Sequence, residues 1–97
     1  MKNTKSVEGI SLVYIKWIDS RQPGSGWRFL SKGEEWNASI INSVGFLIHE
    51  DDSIRVLAQN LSDVEYQDRQ YSGDIVIPKQ SVLFMRVLVA PEQGEKA

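Results

Sequence analysis

The stretch Asp74–Val89, DIVIPKQSVLFMRVLV, limits what this chain can fold into more than any other part of it. It holds two apolar runs, Ile75–Ile77 and Val82–Val89, with Pro78, Lys79, Gln80 and Ser81 between them. Proline cannot donate into a strand ladder, so the first run ends at Pro78. The three residues after it have room for a tight turn or one turn of tight helix. The second run is a strand by composition. Leu12–Asp19, LVYIKWID, carries the same message: Val13, Ile15 and Trp17 point one way, Tyr14 and Lys16 the other. That period of two belongs to a half-buried strand and places Trp17 in the core.

The middle of the chain, SVGFLIHEDDSIRVLAQN from Ser43 to Asn60, predicts a hairpin. Val44, Phe46 and Ile48 share one face, and Ile54, Val56 and Ala58 share one on the return. The two faces coincide if Phe46 pairs near Val56 and His49 near Ser53. That register leaves Glu50, Asp51 and Asp52 as a three-residue turn. Gly45 predicts a bend or a close backbone approach. His49, the only histidine, stands beside three carboxylates. The cluster reads as a solvated hairpin tip, since carboxylates commonly close turns. The spacing and glycine of a calcium loop are missing.

Two connections are longer. Ser20–Gly26, SRQPGSG, is a loop, and it lacks the Gly-Lys-Ser/Thr ending of a phosphate-gripping one. Trp27–Leu30 predicts a short strand. Ser31-Lys32-Gly33-Glu34 has capping-box spacing, with a helical turn running through Glu35 and Trp36. Leu61–Gly73, LSDVEYQDRQYSG, is a long polar connection carrying Tyr66, Arg69 and Tyr71. Its other reading is an edge strand with alternating Val64, Tyr66 and Asp68.

Four or five short strands with almost no helix give an all-β protein. At this size we expect a small, strongly bent antiparallel sheet closing into a barrel of the Sm-like or Src-homology type, which removes exposed edges. A small β-sandwich is the alternative. Residues 10–90 form one domain, with disordered tails at 1–9 and 91–97. About 80 residues make a small core, and self-association into a homo-oligomer would bury more.

Composition narrows the chemistry. The chain has no cysteine, so disulfides, cysteine-ligated metals and a thiol nucleophile are excluded. Without a signal peptide or an apolar run long enough to span a bilayer, the expectation is a cytoplasmic protein with no membrane partner. Between residues 10 and 90 there are eight basic and ten acidic residues, and the whole chain has a net charge of -2. Gripping a nucleic-acid backbone needs a positive field, so general nucleic-acid binding is not expected; a small local basic pocket still fits. No motif with a catalytic mechanism appears, so we expect no enzyme and no cofactor or metal. The aromatic residues are the better lead. Trp27 and Trp36 lie near Arg21 and Arg28, and an aromatic plate beside arginine suits a nucleotide. Arg21, Trp27, Arg28, Trp36, Arg69 and Tyr71 are therefore the candidate ligand-binding residues. The alternative is that the tryptophans plug the ends of the barrel while the arginines lie along its surface.

The order of four segments, VYIKWIDS, GSGWRFL, INSVGFLIHED and GDIVIPKQSVLFMRVL, resembles small proteins of bacteriophages and prophages. These share a V-x-W-x-D start, an S-V/I-G-F/W-L strand and an I-P-K ending, over about Val13 to Leu88. The resemblance implies a phage gene product acting in the cytoplasm of a bacterial host, and it carries over no catalytic residue. It leads to three expectations. The first is an oligomeric anti-defence sponge that sequesters a nucleotide-like immune signal. The second is an inhibitor or adaptor that binds a host protein through a strand edge or the 62–73 loop. The third is a small hydrolase of such a signal, with Asp19 and His49 as its test positions.

Overall fold

The computed structural model describes residues 9–33, 35–62 and 68–90. It contains five strands: β1 (Leu12–Asp19), β2 (Ser39–Glu50), β3 (Ile54–Leu61), β4 (Tyr71–Pro78) and β5 (Val82–Val89). Single 3-10 turns occupy Leu30–Lys32 and Lys79–Ser81, and there is no α-helix among the described residues. The chain is all-β, as its alternation requires. The predicted Pro78 stop and tight link to the last strand are both present. Of the expected tails at 1–9 and 91–97 all but Gly9 lie outside the described residues, as do Val64 and Tyr66 of the alternation and Glu34 of the capping box.

The strands form one antiparallel sheet in the order β4-β3-β2-β1-β5. The expected barrel does not close, because β4 and β5 remain unpaired at the two edges. The long central strand explains this. β1 pairs with Ser39–Phe46 of β2, and β3 pairs with Phe46–Glu50, so only Phe46 belongs to both ladders. The two wings of the sheet are therefore offset along β2. Pro78 lies level with Ile54 at one end, and Val82 lies level with Trp17 at the other. In a flat sheet these corners would be roughly 30 Å apart along the strands and about 19 Å apart across them. The 3-10 turn that joins them spans only about 8 Å. The sheet must fold over on itself about the middle of β2, bringing the β3–β4 wing across the β1–β5 wing.

The core fills that fold. Val13, Ile15 and Trp17 of β1 meet Leu47, Leu57 and Ile77, with Ile41, Val82 and Met85 packed around them. Each fully buried side chain of this size stabilises the fold by about 1.5–3 kcal/mol. Trp17 is core, as its strand pattern predicts, and its indole N–H donates to Ser43 Oγ at 3.1 Å. Gly45 sits next to the hinge residue Phe46. A Cβ there would lie 2.9 Å from the Ala58 carbonyl oxygen and 3.1 Å from Leu57 Cβ, the close approach anticipated for this glycine.

The hairpin register differs from expectation by two to three residues. Phe46 pairs with Ala58 and His49 with Val56, while Glu50 remains in the strand opposite Arg55. The turn is therefore Asp51–Ser53 rather than Glu50–Asp52. Leu47 and Leu57 face the core, so Val44, Phe46 and Ile48 lie on the opposite face and Val44 is exposed. Apolar residues occupy both faces of β2, and alternation alone could not choose between them. An irregularity between Leu47 and His49 shifts the pairing again.

Candidate ligand-binding cleft in the β1–β2 loop

The chain leaves β1 at Asp19 and re-enters the sheet at Ser39. The intervening loop stands outside the core, and all of its described residues are exposed. Its base is stapled: Arg21 Nε donates to the Asn37 carbonyl at 2.7 Å, and the Ser20 amide donates to Asp19 Oδ1 at 2.8 Å. No strand forms over Trp27–Leu30, because no neighbouring strand lies beside it to supply a ladder. The 3-10 turn begins at Leu30, ahead of the capping-box position. It ends at Gly33, whose φ of 74° is a conformation natural to glycine.

This turn shapes a cleft of about 660 Å3, lined among others by Trp27, Arg28, Phe29, Leu30, Lys32 and Trp36. Trp27 is fully exposed, at 102% of its reference surface, and Phe29 and Leu30 are more than three-quarters exposed. Leaving such side chains in water forgoes about 1.5–3 kcal/mol each. The exposed apolar side chains have two cationic ones, Arg28 and Lys32, beside them, a composition able to take a flat, anionic ligand. Its volume lies within the roughly 300–1,000 Å3 usual for small-molecule sites.

Three of the six candidate residues, Trp27, Arg28 and Trp36, line this cleft together. Arg21 does not line it; its guanidinium closes the base of the loop. Tyr71 lines a different groove of about 440 Å3 with Phe46, Leu61 and Gln70. Arg69 is half-buried, and its Nε has no hydrogen-bond partner among the described residues. Sequence reasoning missed Phe29, Leu30 and Lys32. The exposure of Phe29 and Leu30 was hidden because WRFL reads as a strand, whose apolar residues would be covered.

The His49 cluster is a turn. The Asp51 carboxylate accepts from the Ser53 and Ile54 amides at 2.8 and 3.0 Å, and its other oxygen lies 2.9 Å from His49 Nε2. The hydrogen bond with His49, followed by the two amides, brings the Asp51 pKa down to about 2. Glu50 instead faces Arg55 Nε at 3.0 Å and Lys79 Nζ at 3.2 Å. Burial raises its pKa, but the hydrogen bonds and charges of Lys79 and Arg55 outweigh that, leaving it below the ordinary value. This triad ties the β2–β3 hairpin to the link before β5. The Lys79 amide adds a 2.8 Å bond to the Ser53 carbonyl. Among the described residues no group of three or more His, Cys, Asp or Glu is placed to hold a metal ion, and no helix is long and apolar enough to cross a membrane. No family model matches the chain, and neither a curated protein nor a solved structure shows significant similarity to it.

Proposed function

We propose that this protein acts by binding, and that its ligand is nucleotide-like: a planar ring system carrying phosphate. The observation that carries this reading is the pairing of exposed Trp27 and Trp36 with Arg28 and Lys32 around one cleft of about 660 Å3. Stacking on an aromatic side chain contributes about 1–3 kcal/mol per base. A guanidinium can hold a phosphate through two parallel hydrogen bonds. Together with the resemblance to phage proteins, this supports an anti-defence sponge, which sequesters a nucleotide-like signal of the bacterial host without turning it over.

The test is calorimetric titration with a panel of mono-, di- and cyclic nucleotides, each also assayed for breakdown. Binding without turnover, weakened at least tenfold in Trp27→Ala and in Arg28→Ala, is the expected result. Unchanged binding in both variants removes the cleft from the proposal, and turnover replaces sequestration with hydrolysis. The full exposure of Trp27 also favours a second reading, an inhibitor or adaptor that covers this loop with a host protein. That reading predicts no nucleotide binding and a host protein whose capture requires Trp27.

A further inference from the structure

The two edges of the sheet are not alike. Along β4, Gly73 has a φ of 70°, Asp74 places a charge on the strand and Pro78 removes a donor. These are the features by which natural sheets blunt an edge. β5, VLFMRVLV, has no proline, no glycine and a single charge, Arg86. Among the described residues its ladder partner is β1, on one side only. Leu83, Phe84, Val87, Leu88 and Val89 keep between 40% and 57% of their surface in water. At about 150–200 Å2 for a side chain of this size, that is roughly 400 Å2. The smallest stable interfaces take on the order of 500 Å2 from each partner; strand pairing draws on this area through the flanks of these side chains and on the unpaired backbone edge of β5.

We propose that a second copy of this chain occupies the β5 edge, with the two β5 strands pairing antiparallel about a two-fold axis. A two-fold interface uses the same edge from both copies; β4 and β5 are both unpaired on one side among the described residues, and β5 is the one with neither a positive-φ glycine nor a proline to blunt it. The register follows from charge and face. β5 pairs regularly with β1 from Phe84 to Val87, with irregularities on either side. Residues directly opposite in an antiparallel ladder share a face, so only certain registers are allowed. Centring on Arg86 sets two like charges against each other, which destabilises a sheet. Centring on Met85 places Phe84 of each copy opposite Arg86 of the other. Within one copy Arg86 already lies 5.9 Å from the Phe84 ring centroid, so this register repeats that pairing across the axis. The inference does not depend on the β1–β2 cleft.

The experiment is sedimentation of the full chain, joined with a crosslinking test. The native chain has no cysteine, so any disulfide in a single-cysteine variant joins two copies. A dimer is expected for the native protein, with Met85→Cys crosslinking on mild oxidation and Val76→Cys, on β4, remaining uncrosslinked. Leu88→Lys should raise the dimer dissociation constant at least tenfold while the circular dichroism spectrum stays that of a folded sheet. A native monomer at 100 μM overturns the proposal. So does an oligomer that Val76→Lys dissociates and Leu88→Lys does not. Crosslinking through Val76→Cys in place of Met85→Cys would overturn the two-fold register.

Discussion

Replacing Gly45 by alanine tests the hinge of the sheet with one methyl group. In an ordinary strand the change is favourable by about 0.5–1 kcal/mol, because glycine loses more backbone freedom on folding. Here the added carbon would meet the Ala58 carbonyl oxygen at 2.9 Å and Leu57 Cβ at 3.1 Å. Neither neighbour is the far end of a flexible side chain. The carbonyl belongs to the residue that pairs with Phe46, and Leu57 is in the core. Relieving the clash therefore shifts backbone where the two wings join. Overpacking of this kind costs about 1–3 kcal/mol, which exceeds the gain in strand preference. We expect a net loss of about 1 kcal/mol, or a fall in melting temperature of about 4–8 °C for a domain of this size. Gly24→Ala is the matched control. Nothing lies within 4 Å of its added carbon, so it should be neutral or slightly stabilising. Urea unfolding of both variants at equal protein concentration reads the difference. A Gly45→Ala protein as stable as the native chain would refute the close approach of β3 to β2 at this position.

Ile15→Ala removes a fully buried side chain from the middle of the core and should cost about 2–5 kcal/mol in denaturant unfolding. Trp27→Ala should leave stability within about 0.5 kcal/mol, since the side chain lies wholly outside the core, and a larger loss would show that the loop packs onto the sheet. Glu50→Gln leaves Arg55 and Lys79 without their carboxylate; a loss of about 1 kcal/mol that shrinks in high salt is expected from unfolding curves at two ionic strengths. Asp51, held at about 2 against an ordinary 3.8, favours the folded state above pH 3.8. That contribution disappears as pH falls through 3.8 toward 2, so acid unfolding of Asp51→Asn should be less steep across this window than that of the native protein.

Much of the architecture was legible in the chain because local rules act there without competition. β1 alternates cleanly, Pro78 stops its strand, and Lys79–Ser81 leave room for a single tight turn. The register of β2 was not legible. Both of its faces carry apolar residues, and the choice fell to Leu47 and Leu57 through contacts with Ile15 and Ile77, distant in sequence. Barrel closure was misjudged for a related reason, since the offset of the two ladders along β2 is a tertiary fact. At the candidate cleft, the residue types pointed to Trp27, Arg28 and Trp36. The contributions of Phe29, Leu30 and Lys32 depend on a 3-10 turn that no pattern in WRFLSK announces.

The place of β1 between β2 and β5 has a consequence for how the chain acquires its structure. Ile15 sits opposite Ser43 on one side and Met85 on the other. The first neighbour is made soon after β1 and the second some seventy residues later in the chain. Such distant pairings fold slowly, because the loop must be closed before any contact rewards it. Until β5 is made, β1 is therefore paired on one side only, and its other edge has no ladder partner among the described strands. The nascent chain passes through a state with a half-built sheet, and β5, the last of the five described strands, ends it.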